Sequence, residues 1–295
     1  MKFGTLVLNG EPVVAAISSG GDQYWALEEL TGKPIKTMMD LIRVYDDVKG
    51  ALNPNGGARS LAGVKINAPL LPVRNVMCVG KNYHAHAHEF TKSGFDSSAK
   101  DASEAIPTAP IIFTKAPETV IATGEAIRYP TGLSDSVDYE AELGVVIGKA
   151  GRGISKAEAL DHVFGYTIIN DVTARDLQSK HKQWFIGKSL DTFCPMGPWL
   201  VSADEVDAGN LDLKCWVNGE LRQHANTSDL IFDVPTLIET LSAGLTLQVG
   251  DVIATGTPAG VGSARTPPIY LKAGDRISCT YDGVGTLANP VVQEK

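Results

Sequence analysis

Cysteine is scarce and dispersed: four residues in 295, Cys78, Cys194, Cys215 and Cys279, with no CxxC pair among them. That spacing fits reduced thiols in a cytoplasmic enzyme better than a disulfide framework or a zinc knuckle. Long apolar runs are missing too. Stretches such as Val145-Val146-Ile147 end far short of the roughly 18 residues needed to cross a bilayer, so no transmembrane helix is expected. Nor is a signal peptide expected, because Asn9, Gly10, Glu11 and Pro12 interrupt the opening segment. Basic excess is absent: 26 Lys and Arg stand against 34 Asp and Glu, a formal charge of −8. Nucleic acid and anionic membranes, which need a basic surface, are therefore poor partners. Internal repeats and low-complexity tracts are lacking as well. What is present is 43% apolar and 20% charged residues, enough for a sizeable core and incompatible with disorder.

The acidic surplus is unevenly placed. Residues 1–68 carry seven charges of each sign, so the whole surplus falls in 69–295, where it marks either a cation site or an ordinary acidic surface. Strand-like runs at 5–8 and 13–17 and a helical pattern over 37–49 predict a small α+β unit. The prolines between 69 and 72 close it, giving a small N-terminal domain, 1–69, and a larger domain, 70–295. In the larger one, short apolar runs at 76–79, 111–113, 143–147, 166–169, 211–217, 252–255 and 277–281 are punctuated by Gly and Pro. The rhythm predicts a β-rich α+β domain and not a βαβ parallel sheet. Residues 93–108 are polar and aperiodic, as in a long loop that closes over a site as a lid.

In Val137-Asp138-Tyr139-Glu140-Ala141-Glu142-Leu143-Gly144-Val145, acidic and apolar residues alternate with the period of a strand. Asp138, Glu140 and Glu142 then share one face at about 7 Å intervals, either solvated at an edge or gathered around a cation. Carboxylate oxygens suit a hard ion such as Mg²⁺, Mn²⁺ or Ca²⁺. A second apolar run, Gly165-Tyr166-Thr167-Ile168-Ile169-Asn170-Asp171, delivers Asp171 where a helix is expected to begin, as a third ligand, as that helix's N-cap, or as both. Arg175 and Gln178 follow four and seven residues later. They face an anionic substrate, or Arg175 pairs with Asp171 on the surface. His84, His86 and His88 allow three readings: a strand offering HxH to zinc, a helix on which Glu89 orients His86 as a general base, or exposed rings without a role. The alanines at 85 and 87 favour the helix. Two further segments, around Gly187-Lys188-Ser189 and from Gly256 to Gly262, offer oxyanion donors or are plain turns.

Taken together, Asp138-Tyr139-Glu140-Ala141-Glu142-Leu143, Asn170-Asp171-Val172-Thr173-Ala174-Arg175-Asp176-Leu177-Gln178, Gly187-Lys188-Ser189-Leu190-Asp191-Thr192-Phe193-Cys194-Pro195 and Thr255-Gly256-Thr257-Pro258 resemble the fumarylacetoacetate hydrolase family, in family order across about residues 74–290. The resemblance implies a β-sandwich roll catalytic domain behind a small N-terminal α+β domain, paired as a homodimer. It implies Glu140, Glu142 and Asp171 as ligands of Mg²⁺, Mn²⁺ or Ca²⁺, with Asp138 in support. His86, Glu89 and Lys188 become the catalytic groups, and Arg175, Gln178, Gly256 and Thr257 the substrate-holding ones. The implied reaction is hydrolysis of a C–C bond in a β-diketo or acylpyruvate-type 2-oxo acid, with water activated by His86 and charge stabilised by the cation. Tautomerase or isomerase, 2-oxo acid decarboxylase and ureidoglycolate lyase chemistry can use the same groups. A metal-stabilised dimer without catalysis is the alternative of another class.

Overall fold

The computed structural model describes residues 1–52, 56–92 and 102–294. Most of the expected lid, residues 93–101, lies outside the described residues. The first 69 residues form β1 (Lys2–Leu8), β2 (Glu11–Ile17), β3 (Gln23–Ala26), β4 (Arg59–Ser60) and β5 (Lys65–Asn67). Helices α1 (Leu27–Thr31) and α2 (Met38–Val48) separate β3 from β4. The expected start of α2 holds because Thr37 and Asp40 satisfy each other's backbone N–H groups in a capping box.

The rest of the chain supplies β6 (Val76–Gly80), β7 (Ile111–Lys115), β8 (Val120–Ile121), β9 (Ile127–Tyr129), β10 (Val137–Asp138), β11 (Ala141–Ile147), β12 (Val163–Asn170) and β13 (Thr173–Ala174). They are followed by β14 (Cys194–Ser202), β15 (Asp212–Val217), β16 (Glu220–Asn226), β17 (Val252–Ala254), β18 (Arg276–Tyr281) and β19 (Gly285–Gln293). Helices α3 (His84–Lys92), α4 (Arg175–His181), α5 (Phe185–Lys188) and α6 (Val234–Ser242) lie between them. Among the described residues, no helix is long and apolar enough to cross a membrane.

A large sheet runs β4-β3-β2-β1-β14-β12-β11-β17-β6-β7, with β5 on β1 and β8 on β14, and a second runs β16-β15-β18-β19-β9. Leu143, Val145 and Ile168 pack with Leu213, Cys279 and Leu287 of the second sheet. On the opposite face, Val146, Ile169 and Leu200 pack with Phe3, Leu27 and Leu41 of the first 69 residues. Coverage on both faces explains why the central strands read as unbroken apolar runs. The large sheet also continues across the boundary near residue 70, because Lys2 and Phe3 pair with Val201 and Leu200.

The single strand expected over 137–145 is broken. β10 pairs with β13, whereas β11 pairs with β12 and β17, so the chain changes partners at Tyr139 and Glu140. Asp138, Glu140 and Glu142 are all buried, which rules out a solvated acidic face. Asp171 is not a helix N-cap either. It precedes β13, and α4 begins four residues later behind Ala174.

Candidate active site

Register brings the acidic residues together. Ala141 of β11 lies opposite Asn170 of β12, so Glu140 and Asp171 meet where the antiparallel pair ends. The Asp171 N–H donates to the Glu140 carbonyl (2.8 Å), and the Glu140 N–H donates to Oδ1 of Asn170 (3.0 Å). Glu142 lies two residues along β11, and the N–H of Gly256 donates to its Oε2 (2.8 Å). Carboxylate oxygens of Glu140, Glu142 and Asp171 all fall within 4.8 Å of one another, and all three residues are buried. Three like charges in one buried spot repel strongly unless cations lie among them.

The protein supplies three of its own. Lys188 Nζ donates to Glu140 Oε2 and to Asp171 Oδ2, each at 2.7 Å. Arg175 pairs through Nη2 with Glu140 Oε1 (2.6 Å) and through Nε with Asp138 Oδ2 (2.9 Å), so its carboxylate partners are these two residues and not the Asp171 four positions before it. Asp138 also accepts the N–H groups of Gly262 (2.7 Å) and Ser263 (3.0 Å), which makes it the anchor that orients Arg175. Lys115, the last residue of β7, is fully buried and donates to Asp171 Oδ1 (2.6 Å). Sequence reasoning missed it. Its one signal was a lysine closing the apolar run 111–113.

Burial works against ionisation of Glu140, but the charges of Lys188 and Arg175 outweigh it and hold this carboxyl well below the usual range. Glu142 goes the other way: burial, together with the charges of Asp171 and Glu140, pushes it well above that range. Lys188 is pulled down by burial and, more strongly, up by Asp171 and Glu140, so its ammonium is held charged.

The histidine segment is a helix. On α3, His86 is buried while His84 and His88 point to solvent, which removes the zinc reading. Nδ1 of His86 lies 3.2 Å from Glu89 Oε2, and the Gly260 N–H donates to both Glu89 oxygens (3.0 and 3.1 Å). Asn82 sets the helix in place: its amide donates to the carbonyls of Thr255 (2.7 Å) and Phe232 (3.0 Å), and its Oδ1 accepts the Phe232 N–H (2.8 Å). Close approach here requires glycine at 256, whose φ is +103° and where a Cβ would lie 2.7 Å from the Asn82 Cβ.

His86, Glu140, Glu142, Arg175, Gln178, Lys188 and Thr257 line one pocket. Its apolar wall is Phe90, Phe113 and Trp184, with Phe113 and Phe90 edge-on to the indole at 5.3 and 5.9 Å. Gln178 Oε1 accepts from Arg175 Nη1 (3.2 Å). Thr257 accepts from Gln223 (2.8 Å) and donates to the Ala141 carbonyl (3.1 Å), so it ties its loop to the start of β11. Two expected oxyanion loops differ: Lys188 ends the short helix α5, and the Gly256 N–H is committed to Glu142.

A model of the fumarylacetoacetate (FAA) hydrolase C-terminal region matches residues 75–292. The chain belongs to the fumarylacetoacetate hydrolase family. Oxaloacetate tautomerase YisK of Bacillus subtilis (strain 168) is 53% identical over 235 residues, covering 79% of this chain and 74% of the relative. The structure of a fumarylacetoacetate hydrolase from psychrophilic Exiguobacterium antarcticum has a TM-score of 0.84 at 39% identity, over 100% of both chains. That of maleylpyruvate hydrolase from Sphingobium sp. SYK-6, in complex with manganese(II) and pyruvate, has a TM-score of 0.80 at 33% identity, over 100% of both. The fold is thus the family's β-rich α+β architecture. The activities named for these relatives divide between tautomerisation and hydrolysis.

Proposed function

We propose that this chain is a divalent-cation-dependent enzyme of small 2-oxo acids, and that its principal reaction is keto–enol tautomerisation of an oxaloacetate-type dicarboxylate. The observation that carries this reading is the buried, all-oxygen cluster of Glu140, Glu142 and Asp171 in the same pocket as the His86–Glu89 pair. Hard oxygen donors fixed at strand ends fit Mg²⁺, Mn²⁺ or Ca²⁺. When bound, such an ion supplies a Lewis acid for the charge that develops as a 2-oxo acid enolises. Glu89 fixes Nδ1 of His86, leaving Nε2 to take a proton from the substrate carbon next to the carbonyl and to return it. Lys188, Arg175 and Gln178 hold the substrate carboxylate, their geometry preset by Asp138, Glu140 and Asp171.

Hydrolysis of an acylpyruvate is the second reading, favoured because the same base can activate water and because a maleylpyruvate hydrolase shares the fold. Ultraviolet absorbance separates them. With Mg²⁺ or Mn²⁺ present, decay of the oxaloacetate enol band without loss of acylpyruvates supports tautomerisation, and acylpyruvate cleavage supports hydrolysis. No turnover of either by cation-loaded protein would leave the non-catalytic dimer. Homodimeric assembly belongs to this reading, and a single-chain mass in analytical ultracentrifugation would remove it.

A further inference from the structure

Lys115 lies outside every motif singled out in the sequence, yet it is among the largest fully buried side chains. Its ammonium has three N–H donors and three acceptors: Asp171 Oδ1 at 2.6 Å, the Val172 carbonyl at 3.0 Å and the Lys188 carbonyl. Those acceptors come from two segments, the turn after β12 and the end of α5, while Lys115 itself ends β7. One side chain therefore ties the residue that carries a cluster carboxylate to the backbone of the residue that carries the pocket ammonium. With Oδ1 of Asp171 held by Lys115, Oδ2 is the oxygen directed at Lys188.

We propose that Lys115 is a positioning residue that sets cation affinity by fixing the orientation of Asp171 and the placement of Lys188. This inference depends on the cation-site reading above. Two physical effects oppose one another when Lys115 is removed. Losing a positive charge near the cluster favours a divalent ion through Coulomb attraction. Losing the donor leaves Oδ1 of a buried carboxylate unsatisfied, so Asp171 turns toward other donors and leaves the cluster. Contact at 2.6 Å in a fully buried spot makes the second effect the larger. The sign of the change is therefore diagnostic.

The test is titration of Mn²⁺ into full-length protein, read by electron paramagnetic resonance of the free ion, for wild type, Lys115→Met and Lys115→Gln. Lys115→Met is expected to weaken Mn²⁺ binding at least tenfold and to alter the spectrum of the bound ion. Lys115→Gln, whose amide keeps two N–H donors, is expected to weaken it less. Melting curves without cation show that each variant is folded, and Lys115→Gln carries the test if Lys115→Met is not. Wild-type or tighter Mn²⁺ affinity in a folded variant, even one of lowered melting temperature, overturns the proposal and leaves the cation site standing. No Mn²⁺ binding by the wild type overturns the cation-site reading itself, and this inference with it.

Discussion

At the scale of single residues, the pocket divides its titratable groups by what surrounds them. The His86 ring is held by Glu89, apart from the three carboxylates of the cluster. His86→Ala should therefore lower kcat by about 10²–10⁴, the range of a lost general base, and leave the Mn²⁺ dissociation constant within about twofold. Wild-type turnover in that variant would reassign the base. Glu142 makes the opposite prediction, about binding and not turnover. Its folded value is raised above 4.5 by burial and by Asp171 and Glu140, so in cation-free protein its contribution to stability is complete below about pH 4.5 and is lost as pH rises through the folded value. Glu140 is depressed, so its contribution is present above that pH and is lost as pH falls through its lowered folded value. A cation requires Glu142 ionised and must displace its proton. Mn²⁺ affinity should accordingly strengthen as pH rises above about 4.5, with proton release detectable by calorimetry in buffers of different ionisation enthalpy. Affinity flat with pH and no proton released would show that Glu142 is already charged.

At the scale of elements, the site is a meeting of strand ends, and side-chain amides hold them together. Asn82 joins the end of β6 to the loop after β17 and to Phe232 through three hydrogen bonds of its fully buried side chain. Asn82→Ala leaves two carbonyls and one N–H without that partner. It should cost about 2–4 kcal/mol in urea unfolding and should also loosen α3, raising KM and lowering kcat together. An unchanged midpoint would mean that water replaces the amide. This arrangement also shows what the sequence could and could not disclose. Strand positions were legible because apolar runs covered on both faces leave no other explanation, and α3 was legible from alanines between histidines. The acidic alternation over 137–145 was misleading about local structure, because period-two spacing cannot reveal that the chain changes sheets at Tyr139. Lys115 was invisible for a different reason. Its three partners lie in remote segments, and a lysine at a strand end ordinarily extends its ammonium to water.

At the scale of the whole molecule, two observations disagree about the first 69 residues. The family match begins at residue 75 and prolines stand at 69 and 72, both signs of a unit that could be detached. Packing says the reverse. β1 hydrogen-bonds to β14, and Phe3, Leu27, Ile35 and Leu41 share a core with Val76, Cys78, Val146, Ile169 and Leu200. Cutting at residue 70 would expose that entire face of the large sheet and leave β14 with an open edge beyond Leu200 and Val201. Each large apolar side chain returned to water costs about 1.5–3 kcal/mol, so a handful exceeds the margin by which a domain of this size is folded. The carboxylate cluster lies on the same sheet, at the start of β11 and just past the end of β12, and loses its rigid support with that face. Residues 70–295 produced alone should therefore lack a cooperative melt or unfold at least about 10 °C below the full chain, and should bind Mn²⁺ weakly. A cooperative transition at the full-length temperature, with full-length Mn²⁺ affinity, would show that the remaining strands of the large sheet, packed on the second sheet, suffice to hold the site, and that the N-terminal strands cover a surface already stable without them.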